Sequence, residues 1–582
     1  MGTGTEGAAY TSAVSAAPKS IPAEESRPEA WLVRDHVVAG LIFLLALALR
    51  LFHLHEISIH DPFFDLPSVD AAIYDEWARD LLGGKGFGEG VLFLGPLYPL
   101  FLAGVYGLFG ESLATLKVVQ AVLGAITCLL VWGLARDLFG RRVAALSGCA
   151  TAFYGMHVFY GGTAMIVNLQ VPLVVGLVWA AHRALSAPSF GRWAFCGLLL
   201  ALAALARQTV LLLAPALALW ILFGMPGTAS FSRRFAWGTA FGLVILALIL
   251  PFSIRNWVVG EDLVLLNSTG GANFFMGNQH AADGTWQLPA IAWPGRVDNP
   301  RSMRDAFQAV AERETGQKLK PSQVSAYWLS RGLAEIRSDP KRWFQLELRK
   351  LGLFVNASEV WNNRSIDVSR QFSRALDLPL VGFGLIAPLG LLGLVGTRAR
   401  WRDLFPIHAA IGAYLLSAML FFVLSRYRMP ATVLLIPFAA QAALDLVARF
   451  RAAAWRALAL RLLALLTLAL LVHLPLVEDN RMHMAWYNLG NKYRTLERWD
   501  EAISAYQRSL EAYPRAISTH NNLALSYESA GHREEAISAW ARVRTMAIRS
   551  RSRRHLERAE RHLALLEEPG GVAPEALEPA SP

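Results

Sequence analysis

Long apolar runs dominate the chain, separated by short basic or polar stretches. The first covers residues 37–54, and later ones centre near residues 125, 151, 173, 200, 216, 245, 387, 414, 438 and 466. Runs of this length predict membrane-spanning helices, about eleven in all. The segment 91–109 is also long enough, but it contains Pro96 and Pro99. Basic clusters at Arg136/Arg141/Arg142, Arg183/Arg192, Arg233/Arg234, Arg398/Arg400/Arg402 and Arg449/Arg451/Arg456 fall on one side only if 91–109 does not cross. That segment is therefore expected to lie in or dip into the interface, with the N-terminus cytoplasmic and the C-terminus outside.

Two polar stretches break the apolar rhythm. The first, between His60 and Gly110, gathers Asp61, Asp65, Asp70, Asp75, Glu76 and Asp80. From Pro67 the spacing of Ala71, Ala72, Tyr74, Trp77, Ala78, Leu81 and Leu82 predicts a helix, with Ser68 as N-cap and Gly83-Gly84 as the stop. Asp70 falls in its first turn, where free N–H groups and the helix dipole favour a carboxylate, and Tyr74 follows on the same face. This spacing fits an active site with Asp70 as base. It fits equally an interfacial amphipathic helix whose acids face water.

The second break is a loop from Arg255 to about Leu376. On the predicted topology it shares the outer face with the acidic stretch, with Arg207 in ALARQTVLLLAP and with Arg426-Tyr427-Arg428 in LSRYRMP. One arginine at a membrane surface reads as a solvated anchor. Three beside a carboxylate cluster fit an anionic lipid head group, because guanidinium forks match phosphate geometry. The loop opens with IRNWVVGEDLVLLNSTGGANFFMGNQHAADGTW, whose Asn, Gly and aromatic content reads as a turn-rich, substrate-facing segment or as ordinary loop punctuation. Residues 301–356 read as helical, with Pro321-Ser322 and Asp339-Pro340 opening helices. The segment NASEVWNNRSID then offers Glu359, Trp361 and Asn363 to a sugar, or is ordinary exposed loop.

Beyond Glu478 the composition turns soluble. Leu489, Tyr493 and Ala502 recur as Leu523, Tyr527 and Ala536, a period of 34 residues. The stretch AWYNLGNKYRTLERWDEAISAYQRSLEAYPRA resembles a tetratricopeptide repeat, and THNNLALSYESAGHREEAISAWARV is a looser copy. Two copies need a capping helix, expected over 549–567, and such stacks offer a concave surface to a protein partner. The expected units are a disordered tail at 1–35, a membrane domain at 36–477, a repeat domain at 478–568 and a second tail at 569–582.

Composition narrows the class. Of 582 residues 54% are hydrophobic and 17% charged, and the mean hydropathy is +0.35, which excludes an ordinary soluble protein. The net charge of +10 does not signal nucleic acid, since the arginines cluster between apolar runs where they orient the chain and meet lipid. Cys128, Cys149 and Cys196 share no metal-ligand spacing. A divalent cation near Asp75 and Glu76 is compatible with the acids there, but no spacing demands one.

The order of one span, an acidic outer loop, PLYPLFLAGVYGLFG, a bundle of spans, IRN with a Gly-rich loop, and SRYRMP resembles bacterial members of glycosyltransferase family 39. That family includes dolichyl-phosphate-mannose protein mannosyltransferases and lipid A aminoarabinose transferases. The resemblance covers roughly residues 37–475. It implies an all-α GT-C helix bundle in the bacterial inner membrane, with the repeats in the periplasm. It also implies inverting transfer of a sugar from a polyprenyl-phosphate carrier to an acceptor on the outer face. Asp70, in DAAIYDEWA, matches the family's catalytic acid, and Arg207, Arg426 and Arg428 correspond in kind to its carrier-phosphate arginines. Tyr74, Tyr427 and Glu359 join them as expected substrate contacts. The chain lacks an inserted MIR-type domain, so a glycan, lipid or protein acceptor stays open. A lipid transporter, expected to carry polar groups near mid-membrane, and a membrane-anchored repeat scaffold are the alternative classes.

Overall fold

The computed structural model describes residues 28–225, 227, 229–294, 297, 299–477 and 482–567. Among them the chain is helical with short turns and no strand, apart from isolated bridges between Tyr154 and Val381 and between Thr285 and Val423. The tail predicted at 569–582 and residues 1–27 of the other lie outside the described residues. Helix begins at Pro28, inside the segment predicted to be tail.

Six helices are long and apolar enough to cross a membrane: Asp35–His60, Leu113–Phe139, Val167–Ser186, Phe231–Gly260, Ser425–Arg451 and Trp455–Val472. Shorter apolar helices cover Leu97–Phe109, Phe190–Ala206, Gln208–Gly224, Phe383–Gly396 and Phe405–Leu420. The apolar run near residue 151 is not one helix. It divides into Arg141–Ala152 and Gly155–Gly161, because the backbone around Tyr154 leaves the helix to bond Val381. In the segment 91–109 only the 13 residues Leu97–Phe109 are helical. At 1.5 Å per residue that is about 20 Å, short of a hydrocarbon core of about 30 Å.

Charged residues at the helix ends mark the two ends of the bundle. Near one end Asp35 pairs with Arg136 at 2.5 Å and Arg141 at 3.1 Å, and Asp137 pairs with Arg183 at 2.9 Å. Arg400 bonds the Leu138 carbonyl there, and Arg449 and Arg461 share Asp445. At the other end lie the start of Ser425–Arg451, the close of Asp35–His60 and the polar loops.

Those loops fold onto the bundle through identifiable anchors. Asn256 of the IRN motif is fully buried; its amide donates to the carbonyls of Val264 and Leu266 and accepts from the Leu92 N–H. The neighbouring segment passes so close to the end of Phe190–Ala206 that a Cβ on Gly95 would sit 2.2 Å from the Ala206 carbonyl oxygen. Helices Pro300–Thr315, Pro321–Ser338 and Pro340–Val355 follow, the last capped by Asp339 accepting from the Arg342 N–H at 3.0 Å. The turn-rich reading fails at Gly270–Asn278, which is helical. Tertiary packing overrides propensity here: Gly271 lies against the backbone of Ser325, where any Cβ would clash.

The repeats form two hairpins, Met482–Thr495 with Trp499–Ala512 and Ile517–Ser529 with Arg533–Ser550, followed by Arg553–Glu567. Leu489, Tyr493, Ala502, Leu523 and Ala536 are buried, which explains their recurrence. The first hairpin does not stand apart from the membrane domain. Its core runs on through Leu54, Ile57, Phe64, Val368 and Phe372.

Candidate active site

The helix Asp70–Leu82 buries Ala71, Ile73, Tyr74, Trp77 and Ala78 against the bundle; of the predicted face Ala72 and Leu81 are half-buried and Leu82 is exposed, while Ile73 joins it. Its start differs from the prediction. Ser68 contributes its backbone carbonyl to the Ala71 N–H but no side-chain cap, and the N-cap position is Val69 at φ 55°, ψ −120°. A β-branched residue with positive φ is strained, at a cost of roughly 1–3 kcal/mol. The turn before it is held by three cations. Arg364 pairs with Asp61 at 2.5 Å, Lys117 donates to the Phe64 carbonyl, and Lys492 of the first repeat donates to the Leu66 carbonyl at 3.2 Å. Val69→Gly should therefore keep or slightly raise the melting temperature while slowing turnover, because strain is relieved and the carboxylate beside it is less fixed. A lower melting temperature would mean that Val69 matters through packing instead.

Arg426 enters the same space from the first turn of Ser425–Arg451. Its Nη1 donates to Asp70 Oδ2 at 2.5 Å and its Nη2 to the Tyr427 hydroxyl at 3.3 Å. Its Nε is buried without a partner among the described residues. Arg207 sits where the backbone turns extended between Phe190–Ala206 and Gln208–Leu212, with its guanidinium 3.1 Å from the centre of the Tyr427 ring. Tyr74 packs edge-on against Tyr98 at 5.0 Å. Burial, then the charge of Asp70, pushes its hydroxyl well above the usual tyrosine range, so it stays protonated.

These groups line a cavity of about 880 Å³. The structure thus brings Asp70, Tyr74, Arg207, Arg426 and Tyr427 together from three separate parts of the chain. Arg428 borders the same cavity, but its fork is committed elsewhere. It is buried and donates to the carbonyls of Leu353, Phe354, Asn356 and Ser358 and to Glu359 Oε2 at 3.0 Å. Both Nη atoms of Arg428 are thus occupied by protein acceptors, its Nε alone has no partner among the described residues, and Glu359 is its ion-pair partner. Arg428→Lys should lower stability by about 2–4 kcal/mol, since one ammonium cannot satisfy acceptors arranged for a fork. Thermal unfolding checks this; an unchanged melting point would free Arg428 for a ligand role.

Asp75 and Glu76 point away from the cavity. Asp75 accepts from the Tyr106 hydroxyl at 2.6 Å and pairs with Arg79, while Glu76 pairs with Arg301 at 2.9 Å. Helical geometry turns them from the face of Asp70 and Tyr74. No group of three or more His, Cys, Asp or Glu among the described residues could hold a metal ion.

The sequence offered the segment with Asn267, Thr269, Asn273 and Trp286 as substrate-facing, and all four line the cavity; it missed Gln208, Asn299 and Asn362. It also missed Tyr487, Asn488, Asn491 and Lys492 of the first repeat, which no local pattern could place beside Asp70.

Residues 94–254 match the family described as dolichyl-phosphate-mannose-protein mannosyltransferase, and residues 483–515 match the tetratricopeptide repeat. The chain thus carries one segment that matches this mannosyltransferase family and another that matches the repeat. Arg207 lies within the first match, whereas Asp70 and Arg426 lie outside it. Among solved structures, the chain is similar to the archaeal oligosaccharyltransferase AglB from Archaeoglobus fulgidus, in complex with an inhibitory peptide and a dolichol-phosphate. Identity there is 13%, with 81% of this chain and 59% of that chain covered and a TM-score of 0.42. It is also similar to ArnT from Cupriavidus metallidurans bound to undecaprenyl phosphate. That likeness has 15% identity, covers 72% of this chain and 79% of that chain, and has a TM-score of 0.33. The chain therefore spans about three fifths of the length of the oligosaccharyltransferase. No curated protein matches it.

Proposed function

We propose that this protein is an inverting membrane glycosyltransferase that takes a sugar from a polyprenyl-phosphate carrier and transfers it to an acceptor hydroxyl at the outer face of a bacterial inner membrane. The observation that carries the reading is the Asp70–Arg426 pair in the wall of a large cavity, with the Arg426 Nε unsatisfied and Arg207 alongside. An unmet buried donor asks for a ligand, and two guanidinium groups suit the phosphate of a lipid carrier.

In this reading the carrier phosphate takes up the free capacity of Arg426 and loosens its hold on Asp70. The freed carboxylate accepts the proton of the acceptor hydroxyl. The acceptor oxygen then bonds the anomeric carbon as the bond from that carbon to the phosphate oxygen breaks, and its electron pair leaves on polyprenyl phosphate. Attack opposite the leaving group inverts the anomeric centre. Arg207 and Arg426 offset the growing phosphate charge, which is the main stabilisation such a reaction needs.

The basic clusters support a cytoplasmic placement of the bundle end opposite the cavity. The cavity and the repeats then face the periplasm. A cysteine at exposed Ser518 should react with a membrane-impermeant thiol reagent in intact cells; labelling only after lysis would reverse this orientation. Activity itself is tested by offering purified protein labelled undecaprenyl-phosphate sugars, with release of undecaprenyl phosphate expected.

A further inference from the structure

A second, smaller cavity of about 50 Å³ adjoins the large one, and the two share walls at Ser68, Asn363 and Arg426. At roughly 10–15 Å³ per water, it has room for about three to five waters. A carboxylate or another small oxyanion fits such a space, and a sugar ring does not. The start of Leu113–Phe139 supplies Lys117 to its wall, the turn leading to Asp70 supplies Phe63 and Phe64, and the segment after Pro340–Val355 supplies Asn363 and Arg364.

The charged groups that line it among the described residues are all cations: Lys117, Arg364 and Arg426. Arg364 already faces Asp61 and Arg426 faces Asp70, each at 2.5 Å. Lys117 faces no acid within ion-pair distance among the described residues. It is only 3% exposed, donates to the Phe64 carbonyl and lies 3.6 Å from the centre of the Phe64 ring. A carbonyl and a ring face leave one of its three N–H groups without an acceptor and its charge without a counter-ion. The Nδ2 of Asn363, on the same small cavity, is also buried without a partner. A buried cation and a buried amide donor, both unmet, call for an anion with two acceptor oxygens.

We infer that this small cavity is a subsite for a terminal carboxylate on the transferred sugar, held by Lys117 and Asn363, so that the preferred donor carries a hexuronic acid and not a neutral hexose. The inference rests on the transferase reading and adds the class of sugar to it. The carrier phosphate itself does not suit the space, because it is a diester whose sugar and polyprenyl arms both need room, whereas a carboxylate is a terminal group. Arg426 borders both cavities, so an anion seated on Lys117 lies beside a phosphate seated on Arg426 and Arg207. The part of the donor next to that phosphate is the sugar. Its carboxylate offers one oxygen to the ammonium and one to the amide.

The test uses full-length protein in lipid nanodiscs and labelled undecaprenyl-phosphate donors in matched pairs, glucuronic acid against glucose and galacturonic acid against galactose. Each pair differs only in carboxylate against hydroxymethyl, and release of undecaprenyl phosphate is read for each donor. Wild-type protein should discharge a uronic acid donor with a kcat/KM about ten- to a hundredfold above that of its neutral partner, the worth of one charge-assisted hydrogen bond. Lys117→Met should bring that ratio to within about threefold, and Asn363→Leu should lower it by about three- to tenfold. Each ratio is taken within one protein preparation, so partial misfolding of a variant cancels from it. Equal discharge of both donors by the wild type, or a ratio that survives Lys117→Met, overturns the inference while leaving the transferase reading intact. Weaker binding of undecaprenyl phosphate in Lys117→Met with the ratio unchanged overturns it too, and would give the subsite to the carrier phosphate. Failure of the wild type to discharge any of the four donors, even to water, overturns the transferase reading and the inference with it.

Discussion

Asp70→Asn is expected to bind the polyprenyl-phosphate donor at least as tightly as wild-type protein and to transfer its sugar roughly 10²–10⁴-fold more slowly. The substitution keeps the size of the side chain and removes the base. It also dissolves the 2.5 Å ion pair with Arg426, leaving that guanidinium free for phosphate. Loss of turnover with equal or improved donor binding is therefore the signature, and a simple folding defect would not produce it. Asp75→Asn should be far milder, because Asp75 serves the Tyr106 hydroxyl and Arg79 away from the cavity. Asp61→Asn is a different control. It strips a buried carboxylate from Arg364 and should cost stability and activity together. Near-normal turnover in Asp70→Asn would remove Asp70 from the chemistry.

Arg426→Lys is expected to weaken donor binding by about ten- to a hundredfold, although the charge is kept. A lysine reaches one acceptor at a time, whereas Arg426 addresses Asp70 and Tyr427 and still has Nε to offer. Charge-assisted hydrogen bonds are worth roughly 1.5–3 kcal/mol each, and the lost fork accounts for about that much. Titration of purified variants with undecaprenyl phosphate reads it directly. The same change at Arg428 should act through stability instead. If the two substitutions behave alike, the distinction drawn between these neighbouring arginines is wrong.

That distinction shows where reading the sequence runs out. The face of Asp70–Leu82, the break at Arg207 and the 34-residue repeat all follow from local spacing, because periodicity and helix breakers act over one or two turns. SRYRMP presents two arginines that look equivalent. Only the fold shows that the carbonyls around Leu353–Ser358 surround Arg428 and that Asp70 comes to meet Arg426. Asp75 and Glu76 were legible as acids near the site, but their partners, Tyr106 and Arg301, come from other segments. The break at Tyr154 and the helix Gly270–Asn278 were illegible for the same reason, since each depends on a distant strand of backbone. Docking of the repeat beside the turn that leads to Asp70 is the extreme case. Lys492 reads as an ordinary surface lysine of a repeat, and its partner lies 426 residues away.

The central claim is that this cavity discharges a polyprenyl-phosphate sugar with Asp70 as base. Single-turnover release of undecaprenyl phosphate from a labelled undecaprenyl-phosphate sugar, measured beside equilibrium binding for wild-type and Asp70→Asn protein, tests it most directly. The account predicts binding by both proteins and release by the wild type alone on the timescale of the assay. Equal release by both, or no binding of the carrier lipid by either, would contradict it.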